Sequence, residues 1–194
     1  VKDPYGGAFK VTKGLSTGYP ESVLNAPISE CGIVGFGVGV ALLDRLCVVE
    51  IMFSDFVVNA MDQVLNNLAK FSYMYGVTKM PIIIRMADGG GAGYGPTHSQ
   101  SIAKLFLGIE GLQVYSLSSL VNPTQFYRSI ASSGVPSIVL EDKREYSVRP
   151  CELSRVISNR FDSGLAERSD YVAFGPKSIQ EVAVLCYGSM ARRV

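Results

Sequence analysis

Residues 81–86 read Pro81-Ile82-Ile83-Ile84-Arg85-Met86. The run has strand length, and branched side chains follow one another without the polar alternation of a half-solvated strand. It predicts a strand covered on both faces, as in a parallel sheet flanked by helices. Upstream, residues 46–53 form a second apolar, β-branched run and predict a second buried strand. Between the two, Ser54 or Asp55 stands where it can cap a helix. Phe56, Ala60, Met61, Val64, Leu65 and Leu68 then fall at helical spacing. Downstream, 87–97 is a glycine-rich loop, 98–107 a helix, 112–116 a strand, 123–131 a helix and 137–141 a strand. Strand and helix alternating in this rhythm predict an α/β domain with a parallel sheet.

The flanks are less regular. Residues 1–27 are rich in glycine, proline and polar side chains and read as an extended entry. Residues 31–43 have helix length but carry Gly32, Gly35, Gly37 and Gly39, each costing about 1 kcal/mol against alanine. Such a helix is tolerated where something must approach its backbone closely. The rhythm fades after residue 141 and returns as a strand at 181–187. The expected division is therefore a domain over 1–145, a connector over 146–180 and, at 181–194, the opening strand of a further domain.

Composition narrows the function classes. With 47% hydrophobic and 18% charged residues in 194, the chain can bury a large core and is not disordered. A net charge of +1 argues against partners recruited by long-range attraction, so neither nucleic acid nor an anionic membrane is expected. A mean hydropathy of +0.23 suggests apolar surface covered by a partner subunit. Cys31, Cys47, Cys151 and Cys186 show no CxxC spacing and no nearby histidine, so neither a metal site nor a disulfide framework is expected. Cys31 and Cys47 read as small core residues, and a reducing compartment is favoured. Asp44-Arg45 stops the apolar run 31–43 short of the ~20 residues a membrane span needs. No signal peptide is visible; the first residue is Val1, so a targeting segment could have been removed.

In open α/β sheets, ligands bind beyond the carboxyl ends of strands. Three stretches qualify: the one before Glu30, the turn 52–56, and 88–98. The last delivers His98, the only histidine, to the expected start of the 98–107 helix. There a helix dipole would oppose protonation and favour a neutral imidazole. His98 reads equally well as a ligand-facing group or a local cap. Its loop lacks the GxxxxGK[ST] and GxGxxG phosphate patterns. Glu30 is either an ordinary first-turn acid or a carboxylate facing a ligand. Met52 and Phe56, at a strand–helix junction, are by default core.

Several motifs carry a further likeness. Tyr5-Gly6-Gly7-Ala8-Phe9-Lys10-Val11-Thr12-Lys13-Gly14-Leu15 is followed by Pro27-Ile28-Ser29-Glu30-Cys31-Gly32 and by Glu50-Ile51-Met52-Phe53-Ser54-Asp55-Phe56. Then come Met61-Asp62-Gln63 with Asn66 and Ala69-Lys70, Gly95-Pro96-Thr97-His98-Ser99-Gln100, and Val184-Leu185-Cys186-Tyr187-Gly188-Ser189-Met190. In this order they resemble the beta subunit of the pyruvate and branched-chain 2-oxo acid dehydrogenase decarboxylases, over about residues 4–145 plus the last patch.

The resemblance implies a doubly wound parallel sheet of the thiamin-diphosphate-binding fold, here its pyrimidine domain. It implies that Glu30 hydrogen-bonds the pyrimidine nitrogen, that Met52 and Phe56 contact and stack on the ring, and that His98 serves proton transfer or orientation as the acyl group passes to lipoamide. It further implies an alpha subunit bringing magnesium and its ligands, a second beta subunit in a heterotetramer and a lipoyl acyltransferase core. The chain alone is expected to be inactive, since Gly-Asp-Gly is absent and Asn66-Asn67 lies on an amphipathic helix. The compartment implied is the bacterial cytoplasm or the mitochondrial matrix, and pyruvate, acetoin and branched-chain substrates are not separated. There are departures. The family carries a helix and strand before Tyr-Gly-Gly, its Asp-Thr reads Asn25-Ala26, and its Asp-x-Asn/Asp-Pro turn reads Ser133-Gly134-Val135-Pro136. A truncated, non-catalytic docking module is the alternative.

Overall fold

A computed structural model describes residues 2–91, 93–149, 156–157, 173–174 and 186–192. After a short helix α1 (Leu15–Gly18), the order is α2 (Glu30–Leu42), β1 (Cys47–Ile51), a 3-10 segment Ser54–Ala60 running into a π-helical one Gln63–Leu68, α3 (Phe71–Tyr75) and β2 (Ile82–Asp88). Single 3-10 turns at Pro96–His98 and Ala103–Leu105 lead to β3 (Gln113–Leu117), α4 (Pro123–Ser133) and β4 (Ser137–Asp142). These four strands form one parallel sheet in the order β1-β2-β4-β3.

The central position of β2 accounts for its composition: all its residues from Ile82 to Asp88 are buried. On one face Ile82, Ile84 and Met86 join Val49, Ile51, Ile138 and Leu140 beneath α2 and the 54–68 segment. On the other, Ile83 and Val139 pack with Ile130, Phe126 and Tyr127 of α4. Full burial of each such aliphatic side chain contributes about 1.5–3 kcal/mol. Helices on both faces make the sheet doubly wound.

Close approach at the glycine-rich helix occurs on its sheet side. A Cβ at Gly37 would lie 2.7 Å from Val49 Cγ2 and 2.9 Å from Ile82 Cδ1. Gly37→Leu should cost at least about 1–3 kcal/mol through overpacking, seen as a lowered urea midpoint with an unchanged slope. A midpoint equal to that of the native chain would show that α2 does not need this contact.

Three expectations are corrected. The helix expected over 98–107 is replaced by two separate turns. Asp55 Oδ1 accepts from Gln100 N at 3.1 Å and Asp88 Oδ1 from Ile102 N at 3.3 Å, and side chains that take backbone N–H groups compete with helix formation. Neither Ser54 nor Asp55 caps the next segment: its N-cap is Phe53, without a side-chain bond, and the Ser54 hydroxyl donates to Asp88 at 2.7 Å instead. Cys31 is exposed, and Cys47, half-buried against the core, has its thiol pKa pushed up by burial.

Of the strand expected at 181–187, residues 181–185 lie outside the described residues, and Cys186 and Tyr187 lie in no strand. Gly188–Arg192 is a 3-10 segment packed on β3 and β4. Within the expected connector, β5 (Val156–Ile157) and β6 (Ala173–Phe174) pair antiparallel.

Candidate functional site

Glu30 opens α2. The Ser29 hydroxyl caps the helix by accepting from Gly32 N at 3.4 Å, which leaves the Glu30 carboxylate uncommitted. It is half-buried, and among the described residues nothing bonds it. Helix α2 packs on the 54–60 segment, which in turn packs on the 96–98 turn. Met52, just beyond β1, and Phe56, in that segment, are both half-buried.

His98 lies between two phenylalanines, its ring edge-on to Phe53 at 4.9 Å and to Phe56 at 5.0 Å between centroids. Its Nδ1 is 2.9 Å from Thr97 Oγ1, and Nε2 has no partner among the described residues. His98 ends a one-turn 3-10 segment instead of starting a long helix, so no helix N-terminus bears on its ring. Phe9 and Tyr94 complete an aromatic cluster around Phe53, at 5.5 and 5.8 Å.

The structure thus brings Phe56 and His98 into direct contact and places Glu30 and Met52 on neighbouring elements. The loop bearing His98 is held at its neck. Asp88 accepts from Ser54, Ser101 and Ile102, Asp55 from both the backbone and the side-chain amide of Gln100, and Gly89 N bonds Gln100 O at 3.0 Å. A Cβ at Gly90 would meet Ser99 O at 2.8 Å, so the neck closes only with glycine there. The Lys143 ammonium donates to Gly89 O and His98 O. Sequence reasoning gave Asp55 only as a candidate helix cap and did not single out Asp88 or Lys143. Their common signal was position: each charged residue sits at or just beyond the carboxyl end of a strand.

The residue set suits a flat heteroaromatic ring with a polar edge: an unbonded carboxylate at Glu30, an apolar neighbour at Met52 and an aromatic face at Phe56. Among the described residues no three His, Cys, Asp or Glu side chains are grouped so that they could hold a metal ion. A cavity of about 260 Å³ lies elsewhere, lined by Ser119, Tyr127, Glu141 and Tyr146 among others and by none of Glu30, Met52, Phe56 and His98.

Residues 2–149 match the family described as transketolase, pyrimidine binding domain. The chain belongs to that family. Among relatives of this pyrimidine-binding domain, the beta subunit of acetoin:2,6-dichlorophenolindophenol oxidoreductase from Cupriavidus necator is 30% identical, over 99% of this chain and 54% of that protein. The mitochondrial pyruvate dehydrogenase E1 component subunit beta-1 of Arabidopsis thaliana is 37% identical, over 73% of this chain and 40% of that one. The 2-oxoisovalerate dehydrogenase subunit beta of Pseudomonas aeruginosa is 38% identical, over 74% and 41%. The chain spans about half the length, or less, of these relatives. A solved structure, a split gene transketolase in an inactive beta4 tetramer, superposes with a TM-score of 0.53 at 19% identity, over 69% of this chain and 41% of that one. At that identity it speaks for the fold alone. Among the described residues no helix is long and apolar enough to cross a membrane.

Proposed function

We propose that this pyrimidine-binding chain serves as the beta subunit of a thiamin-diphosphate-dependent 2-oxo acid dehydrogenase, contributing one half of a site completed by an alpha subunit. The observation that carries the reading is the pairing of a half-buried Glu30 carboxylate, unbonded among the described residues, with the Phe56–His98 contact on the next elements. The relatives with beta-subunit names support it.

In this reading Glu30 accepts or donates a hydrogen bond at a ring nitrogen of the aminopyrimidine, while Met52 and Phe56 hold the ring's faces and exclude water. When bound, the cofactor supplies the electron sink that makes loss of carbon dioxide from a 2-oxo acid feasible. His98 offers Nε2 for holding or moving a proton as an acyl group passes to lipoamide. Magnesium and its ligands come with the alpha subunit. The assembly is a heterotetramer with a second beta subunit, docked on a lipoyl acyltransferase core, in the bacterial cytoplasm or the mitochondrial matrix.

Calorimetric titration of thiamin diphosphate and magnesium into the chain, with and without its alpha subunit, tests the proposal. Binding is expected only with the alpha subunit, and Glu30→Ala should weaken it at least about tenfold, the loss of one charge-assisted hydrogen bond. An assembled complex that takes up no cofactor would overturn the reading and leave a docking module in its place.

A further inference from the structure

Lys143 follows the last residue of β4 and is only 6% exposed. Taking an ammonium out of water is costly unless its hydration is replaced. Burial accordingly lowers its pKa, with the fields of Asp55, Asp88 and Asp142 opposing. Among the described residues no carboxylate lies within ion-pair distance of it. The charge is spent on backbone carbonyls, Gly89 O at 2.9 Å and His98 O at 2.6 Å, and on the rings of Phe53 and Tyr94, 5.0 and 5.8 Å from their centroids. For filling space alone, a methionine of similar length would serve without that desolvation cost.

The two carbonyls stand at opposite sides of the loop's neck. Gly89 is where the chain leaves β2, and His98 is where it returns. Lys143 thus ties both sides of the neck to the end of β4. Phe53 is shared between the two groups, with the ammonium over its ring and the His98 imidazole set against it at 82°. The imidazole is therefore fixed through its main chain by Lys143, through its ring by Phe53 and Phe56, and at Nδ1 by Thr97.

We propose that Lys143 is the positioning residue for His98, holding the imidazole in register with Phe53 and Phe56 by clamping the neck of its loop. The proposal deepens the reading of His98 as the proton-handling group and rests on that reading for its use in catalysis. The clamp itself is tested without cofactor.

The sequence has a single histidine, so the imidazole Cδ2–H and Cε1–H signals in a proton–carbon NMR spectrum of the full chain belong to His98. Two nearby rings should displace these signals from free-imidazole positions. Lys143→Met removes the donors and keeps the length, and should return both signals toward those positions; Lys143→Arg, which can still donate to both carbonyls, should largely restore the displacement. Unchanged signals in a folded Lys143→Met chain would overturn the proposal. Should Lys143→Met not fold, the native chain decides: a Lys143 ammonium signal protected from solvent exchange supports the clamp, and one exchanging like a surface lysine rules it out. Failure of the cofactor titration would leave these signals unaffected, so the two readings fail separately.

Discussion

Replacing Arg85 by methionine is expected to lower the folding stability of this chain by about 3–5 kcal/mol, the range for breaking a buried ion pair from one side. Arg85 lies in the central strand and is 7% exposed. Its guanidinium reaches Glu50 of β1 at 3.0 Å and both carboxylate oxygens of Glu141 in β4, and it donates to Tyr146 at 3.1 Å. Glu141 also accepts from the hydroxyls of Tyr127 and Tyr146. Burial works against the Arg85 charge, but the field and hydrogen bonds of Glu141, with Tyr146 and Glu50 adding, raise its pKa well above the ordinary value. Burial, followed by the charge of Glu141, likewise pushes the Tyr127 and Tyr146 hydroxyls up, so both stay protonated donors.

Arg85→Met would leave the Glu50 and Glu141 carboxylates without their cation, Glu141 buried and held by the Tyr127 and Tyr146 hydroxyls alone. Against a typical total of about 5–15 kcal/mol, such a loss leaves a marginal protein. Urea denaturation followed by circular dichroism measures it. Adding Glu50→Gln and Glu141→Gln to Arg85→Met should recover much of the loss, because the stranded charges go with it. A single variant as stable as the native chain would show that the network carries no net weight.

This network also shows what the sequence made legible and what it did not. Ile82, Ile83 and Ile84 announce a strand buried on both faces because that signal is local. Arg85 within the run gives no hint of its partner Glu141, 56 residues away, since only strand order brings them together. The 98–107 segment fails for a related reason. Its apolar spacing is helical, but Asp55 and Asp88, 45 and 14 residues distant, take the backbone N–H groups that a helix would use. Glu30, Met52, Phe56 and His98 stood out as candidates by their place beyond strand ends and by motif likeness. Of the residues that bond across the neck of the His98 loop, Asp55 and Gln100 stand in quoted motifs, but Asp88 and Lys143 do not, and their contacts became visible only when the ends of β1, β2 and β4 met.

Glu30→Gln, assembled with the alpha subunit, is expected to lower turnover by about 10²–10⁴-fold, the usual span for losing a group that handles a proton in the transition state. The amide keeps the shape of the carboxylate and can still bond a ring nitrogen, so cofactor affinity should fall much less than turnover. Unlike the carboxyl group, it cannot take up or give up a proton at that nitrogen, so a loss of turnover beyond the loss of binding would add proton handling to the hydrogen bond proposed for Glu30. Folding should scarcely change, because the carboxylate bonds nothing among the described residues. Only its favourable place at the α2 N-terminus is lost, about 0.3–1 kcal/mol. Turnover, cofactor binding and the urea midpoint, measured on the same preparation, separate the causes. A large loss of turnover beside a small loss of binding and an unmoved midpoint fits a proton-handling carboxylate. Equal losses in turnover and binding would reduce Glu30 to an anchor for the ring. Turnover within a few-fold of the native assembly would remove Glu30 from the chemistry and return it to an ordinary first-turn acid of α2.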